Sequence, residues 1–147
     1  MKILIMGLPG SGKTTLATAL ARELQCVHFN ADEIRKEINK DLGFSEADRI
    51  EQARRMGVLC DITGRYGAHV IADFICPTPE AREAFGAQFI VWVDRIKESR
   101  FEDTNKLFVP PVDYDARING QFGMQFYAEE LAIKIKPKIR LSNINTG

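Results

Sequence analysis

Gly7-Leu8-Pro9-Gly10-Ser11-Gly12-Lys13-Thr14 follows directly on an apolar run, Ile3-Leu4-Ile5-Met6. The octet fits G-x-x-x-x-G-K-[ST], a pattern that needs a strand before it and a helix after it. A strand that is apolar throughout must be covered on both faces, which places it centrally in a parallel sheet with helices on either side. The chemistry of such a loop is equally legible. Its backbone N–H groups would curl around a phosphate, with the Lys13 ammonium on the β- and γ-phosphates and the Thr14 hydroxyl on Mg²⁺. The N-terminus of the following helix adds partial positive charge. Glycines 7, 10 and 12 are expected to let the backbone approach the anion where a Cβ would intrude. The expected nucleotide-binding set is therefore Gly7, Pro9, Gly10, Ser11, Gly12, Lys13, Thr14 and Thr15. The last is next in line for the α-phosphate, or is an ordinary helix residue.

A chain of 147 residues, 45% hydrophobic and 27% charged, suits one soluble domain with a real core. Its 20 basic and 20 acidic side chains cancel, so any anion site must be local and nucleic acid is not an expected partner. Cys26, Cys60 and Cys76 are too few and too scattered for a disulfide framework or a metal site, which points to a reduced cytoplasmic setting. No segment approaches the ~18 apolar residues of a membrane span, so no membrane partner is expected. The opening apolar run leads straight into the loop, as a core strand does and a signal peptide does not.

Periodicity extends the alternation along the chain. Strands are expected at 2–6, 26–29, 70–75, 89–93 and around 117–118. Helices are expected at 13–24, 30–39, 45–65, from 78, and at 121–135. Ser45-Glu46-Ala47-Asp48 has the form of a capping box, and Pro79 suits a first helical turn. Residues 95–113, charged and then proline-containing, read as a helix with a mobile loop. One domain over 1–137 and a C-terminal tail over 138–147 complete the expectation: an α/β fold with a five-stranded parallel sheet and helices on both faces. Ligands in such sheets bind beyond the carboxyl ends of the strands. There, Gly7 onward, Asn30-Ala31-Asp32 and Asp73 to Pro77 would converge.

Several side chains near those ends suit phosphoryl transfer. Asp32 opens a helix, where a carboxylate either favours the helix N-terminus or serves as base for an acceptor hydroxyl. Arg35 shares its face at i+3. Arg49 and Gln52 are also spaced i, i+3, and an arginine can hold an oxyanion bidentately or simply lie at the surface. Asp73 interrupts an apolar strand, which fits either a Mg²⁺ ligand beside Thr14 or an ion pair with a nearby basic residue. Phe44 and Phe74 form a clamp for a base or belong to the core. His28 and His69 have no partner pattern and read as structural, and Cys76 reads as a packed small residue. Asp61-Ile62-Thr63-Gly64 imitates a GTPase switch motif from inside a helix. Asn39-Lys40-Asp41 and Asn105-Lys106-Leu107-Phe108 miss N-K-x-D, so guanine specificity has no support.

These residues resemble the adenylylsulfate kinase family. GLPGSGKTTLA is similar to its G-L-S-G-x-G-K-T-T start, and Asn30-Ala31-Asp32-Glu33-Ile34-Arg35 to D-G-D-N-[IV]-R. Asn39 to Ser45 with Asp48-Arg49 resembles L-N-x-x-L-G-F-S-x-x-D-R. Phe74-Ile75-Cys76-Pro77 resembles F-I-S-P, and Phe89 to Asp94 resembles F-x-E-V-[FY]-V-D. The likeness runs to about Val93 and then weakens. It implies a P-loop kinase fold and transfer of the γ-phosphoryl of ATP, with Mg²⁺, to the 3′-hydroxyl of adenosine 5′-phosphosulfate, a small anionic acceptor. It also implies that Asp32 activates that hydroxyl, with Lys13 on the phosphates. Arg35 and Arg49 would hold the phosphosulfate end, and Phe44, Phe74 and Ile75 would pack on the adenine. Arg95 or Arg100 would close from the lid, and a homodimer is compatible. Departures from the family pattern are Asn30 for the first acid of D-G-D, Gln52 for an asparagine, Cys76 for a serine, Asp73 for a small residue, and a lid without its basic stretch. A kinase for another acceptor (a nucleotide, a modified base or a small alcohol) and a non-catalytic ATP-binding subunit are the rival readings.

Overall fold

A computed structural model describes residues 1–146. Its elements alternate as β1 Lys2–Met6, α1 Lys13–Leu24, β2 Val27–Asn30, α2 Ala31–Glu37, α3 Glu46–Arg65 and β3 Val70–Asp73. They continue as α4 Pro79–Phe85, β4 Phe89–Val93, α5 Glu102–Leu107, β5 Ala116–Ile118 and α6 Met124–Thr146. Among the described residues the strands form one five-stranded sheet in the order β2-β3-β1-β4-β5, with every pairing parallel.

β1 lies centrally because both of its faces are apolar. Ile3 and Ile5 point into a core built with Leu16 and Leu20 of α1 and Leu131 and Ile135 of α6. Leu4 and Met6 point the other way, against Met56 of α3 and Phe85 of α4. Strand order turns at β1, which has β3 on one side and β4 on the other, and a crevice opens above that point as the topology requires.

Helix starts follow their caps. The side-chain oxygens of Asn30, Ser45 and Thr78 each accept a backbone N–H from three residues on. The capping box at Ser45 is only half made, because Asp48 Oδ2 accepts from Gly43 N (2.9 Å) and so braces the loop before the helix. β3 stops at Asp73, short of the expected Ile75. Phe74 N makes a bond to Ile5 O (3.1 Å), and the chain then turns through Cys76 at φ +48°.

One expectation fails toward the C-terminus. The last helix does not end near 135 but continues to Thr146, through the stretch expected as a tail, with Gly147 outside the described residues. Pro137 is tolerated because it lies on the exposed side, where water can take the carbonyl its ring leaves unpaired. The helix expected within 95–113 is α5, and the segment around it is hydrogen-bonded to the rest of the chain. Val109 N donates to Pro77 O (2.8 Å), Arg82 donates to Val109 O, and Asn105 bonds Ser99 at both ends of its amide. No helix among the described residues is long and apolar enough to cross a membrane.

Candidate active site

The crevice above β1 and β3 is a cavity of 460 Å³. One wall is the phosphate loop, with Pro9, Gly10, Gly12, Lys13, Thr14 and Thr15. The opposite wall carries Asp32, Arg35, Phe44, Arg49 and Gln52, and the floor carries Asp73, Phe74 and Ile75. Arg100 and Phe101 close it from the segment before α5. Of the residues expected from sequence, Gly7 and Ser11 stand behind the loop and do not line the cavity.

The loop is prepared for an anion. Gly12 caps α1 in the left-handed region (φ +99°) and has no side chain to satisfy the first-turn amides, and no acid lies in that turn. The helix therefore presents free N–H groups and uncompensated positive charge. Ser11 Oγ is buried without a hydrogen-bond partner among the described residues. Lys13 is 9% exposed and donates to Leu8 O (2.9 Å). Burial lowers its pKa from 10.5 to about 8, with Asp73 and then Asp32 opposing the shift.

Two of the glycines are also required by packing behind the loop. A Cβ at Gly7 would lie 2.4 Å from Val93 O, and one at Gly12 would lie 2.6 Å from Met124 Cε. These positions are glycine because β4 and α6 press on the loop from behind, and because both have positive φ. Arg95, one of the two arginines expected from the lid, donates to Met124 Sδ (3.6 Å) on that rear side, whereas Arg100 faces the cavity.

Beside Lys13, a polar cluster joins three elements. Thr14 Oγ1 donates to Asp73 Oδ1 (2.9 Å), and Asn30 Nδ2 donates to the same oxygen (3.0 Å). His28 Nε2 donates to Asp73 Oδ2. Both sequence readings of Asp73 thus have a counterpart, an oxygen at Thr14 and a basic partner in His28. His28 is the residue that sequence reasoning missed. Its spacing of two from Asn30, which puts both on one strand face, was the available signal. Asn30 stands directly across from Asp73 in the β2–β3 register. Two departures from the family pattern thus face each other, a carboxylate at the end of β3 and an amide at the end of β2.

The facing wall is more constrained than a row of surface charges. Arg49 is 8% exposed, not a surface arginine. Its Nε donates to Phe44 O (2.8 Å), and its Nη2 donates to Thr104 Oγ1 (3.1 Å) and Asp103 Oδ2 (3.3 Å) on α5. Arg35 Nη1 donates to Gly43 O (2.5 Å), and its guanidinium lies 4.6 Å from the Phe44 ring centroid. Phe44 is 63% exposed, its ring flanked by both arginines, while Phe74 packs edge-on against Phe85 with centroids 5.5 Å apart. Gln52 is spent on structure at both ends, donating to Ala31 O (3.1 Å) and accepting from Asn39 Nδ2 (2.8 Å). That tie holds the start of α2, and hence Asp32, in place. Asp32 itself is exposed to the cavity, close enough to Lys13 and Arg35 to favour both positive charges against burial. Cys76 is fully packed and burial pushes its thiol far up, so no reactive sulfur faces the crevice.

The donor set fits a nucleotide-bound Mg²⁺. Hard oxygens of Thr14 and Asp73 meet beside the loop, and such an ion takes only one or two protein ligands, the rest being phosphate and water. Among the described residues no group of three or more His, Cys, Asp or Glu side chains could hold a metal alone.

Known proteins share this sequence pattern and this fold. The chain is similar to the adenylyl-sulfate kinase of Bacillus velezensis, 45% identical over 84 residues that make up 54% of this chain and 43% of that protein. It is also similar to that of Synechococcus sp., 37% identical over 97 residues, 60% of this chain and 55% of that protein. These matches thus span about half the length of the relatives or less. In structure it resembles an APS kinase of Mycobacterium tuberculosis solved with AMPPNP and APS, at a TM-score of 0.81 and 23% identity over 92% of this chain and 96% of that one. It also resembles a shikimate kinase of Aquifex aeolicus, at a TM-score of 0.61 and 19% identity over 94% of this chain and 98% of that one. The family model for adenylylsulphate kinase matches residues 1–96, from the first strand through the phosphate loop and Arg49 to the edge of the lid. With that span carrying the loop, the Asp32–Arg35 turn and the Phe44–Arg49 block, the chain belongs to the adenylylsulphate kinase family.

Proposed function

We propose that this chain transfers the γ-phosphoryl group of ATP to the 3′-hydroxyl of adenosine 5′-phosphosulfate. The observation that carries the proposal is the pairing of two half-sites across one cavity, the phosphate loop with Lys13 on one wall and Asp32, Arg35 and Arg49 on the other.

Phosphoryl transfer needs in-line positioning and charge neutralisation more than covalent help. The free amides of α1 and the Lys13 ammonium would hold the triphosphate. Mg²⁺, held through Thr14 and Asp73, would neutralise charge on the β- and γ-oxygens. Asp32 lies exposed in the crevice, where it would accept the proton of the attacking hydroxyl. Arg35 and Arg49 would take the phosphosulfate end, and Phe44, held between them, would pack on the acceptor base with Phe74 and Ile75. Arg100, on the closing segment, would bring a further positive charge over the transferring group.

A kinase of this fold for another small hydroxyl acceptor is the second reading. It is favoured by the lid, where Asp103 lies against Arg49 and the chain runs directly into Val109-Pro110-Pro111. An acceptor panel with γ-labelled ATP and Mg²⁺ separates the two. The first reading expects label on adenosine 5′-phosphosulfate, recovered as the 3′-phosphate by mass and NMR. Label on a sugar, shikimate or nucleoside instead would transfer the assignment to the second.

A further inference from the structure

We propose that His28 is a positioning residue for the Mg²⁺–nucleotide site: it fixes the Asp73 carboxylate so that one oxygen serves Thr14 and the other is held away from it. The inference rests on reading the crevice as a nucleotide site and goes beyond it, because His28 does not line the cavity and lies outside the motifs that define the loop.

Parallel pairing sets Asn30 across from Asp73 and His28 across from Ile71, so His28 and Asn30 approach the carboxylate from one strand face. Asp73 is 2% exposed and His28 18%. A carboxylate this buried must have partners for both oxygens. Thr14 and Asn30 both use Oδ1, so Oδ2 depends on His28. An ionised carboxylate only accepts, so Nε2 carries the proton of that bond. The consequence reaches Thr14. Its hydroxyl donates to Oδ1 and accepts from Asn30 Nδ2 (3.2 Å), which leaves one lone pair for a cation. Take His28 away and Oδ2 loses its partner, and the carboxylate is free to rotate in search of another. That rotation removes the acceptor that orients Thr14.

Partners that orient metal ligands typically change metal affinity about 10–100-fold when removed. The test uses the full chain and Mn²⁺ as probe, titrated by EPR in the presence of a saturating non-hydrolysable ATP analogue. Affinity for the same analogue in EDTA is measured alongside. His28→Leu is expected to weaken Mn²⁺ about 10-fold while metal-free analogue binding shifts less than about 2-fold. His28→Gln, whose amide N–H can still reach Oδ2, is expected to recover most of the loss. If His28→Leu does not fold, His28→Asn, too short to reach Asp73, takes its place. A folded His28→Leu or His28→Asn variant with wild-type Mn²⁺ affinity, or with equal losses in Mn²⁺ and EDTA, would overturn the role. Wild-type chain that binds the analogue with no Mn²⁺ dependence would overturn the metal site itself, a different failure from that of His28 alone.

Discussion

Burial holds the Lys13 ammonium to a pKa of about 8 rather than 10.5. Between those values the unfolded chain keeps a proton that the folded chain has released, so stability of the ligand-free protein rises with pH across that window. Triphosphate binding favours the charged form and acts oppositely. ATP affinity should therefore be greatest below about pH 8 and fall as pH rises through it, with net proton uptake on binding just above that pH. Calorimetry in buffers of different ionisation enthalpy measures that uptake directly, and its absence would remove Lys13 from the phosphate site. At the same scale, much of the site was legible in sequence, because a phosphate loop is contiguous and its residue types are dictated by local backbone geometry. Its partners were harder. Asp73 stood out as an acid in an apolar strand, but its neighbours His28 and Asn30 come from another strand, and only the register joins them. Gln52, expected at the acceptor, lines the cavity and also ties the start of α2 to α3, a role that depends on packing rather than on spacing.

Helices were legible where their ends carry chemistry. Ser45 caps α3 through Asp48 N at 3.1 Å. Ser45→Ala should cost about 1 kcal/mol and lower Tm by about 2–4 °C in a chain of this size, measured by thermal unfolding followed by circular dichroism. Packing between helices was not legible. Gly57 lies inside α3, where alanine would ordinarily gain up to about 1 kcal/mol in helix propensity. Here its Cβ would lie 2.6 Å from Phe85 O and 3.2 Å from Phe85 Cα, on the backbone of α4. Overpacking against backbone costs about 1–3 kcal/mol, so Gly57→Ala should destabilise by about 1–2 kcal/mol net. A stabilised variant in chemical denaturation would mean that α3 and α4 are not seated this closely. The length of α6 escaped prediction for a related reason. Pro137 reads as a helix stop, yet on an exposed face its missing N–H leaves a carbonyl that water can satisfy.

For the molecule as a whole, the alternation of strands and helices was enough to place a parallel sheet and its crevice, since right-handed crossovers leave few other topologies. The lid was not legible, because its order comes from contacts with distant segments. Arg49 of α3 reaches Thr104, and Arg82 of α4 reaches Val109. The first of these ties joins the acceptor wall to the closing segment, so Arg49→Lys, which loses the guanidinium fork, should raise KM for the acceptor more than KM for ATP. Steady-state kinetics with each substrate varied in turn gives the comparison. The central claim is that one cavity brings a triphosphate and an acceptor hydroxyl together, with Asp32 between them. Its most direct test is turnover of adenosine 5′-phosphosulfate with Mg²⁺ and ATP by the wild-type chain and by Asp32→Ala, with ATP affinity measured on both. The geometry predicts turnover in the wild type and a loss of about 10²–10⁴-fold in the variant at unchanged ATP affinity. Full activity in Asp32→Ala, or a wild-type chain that binds ATP and phosphorylates no hydroxyl acceptor, would contradict it.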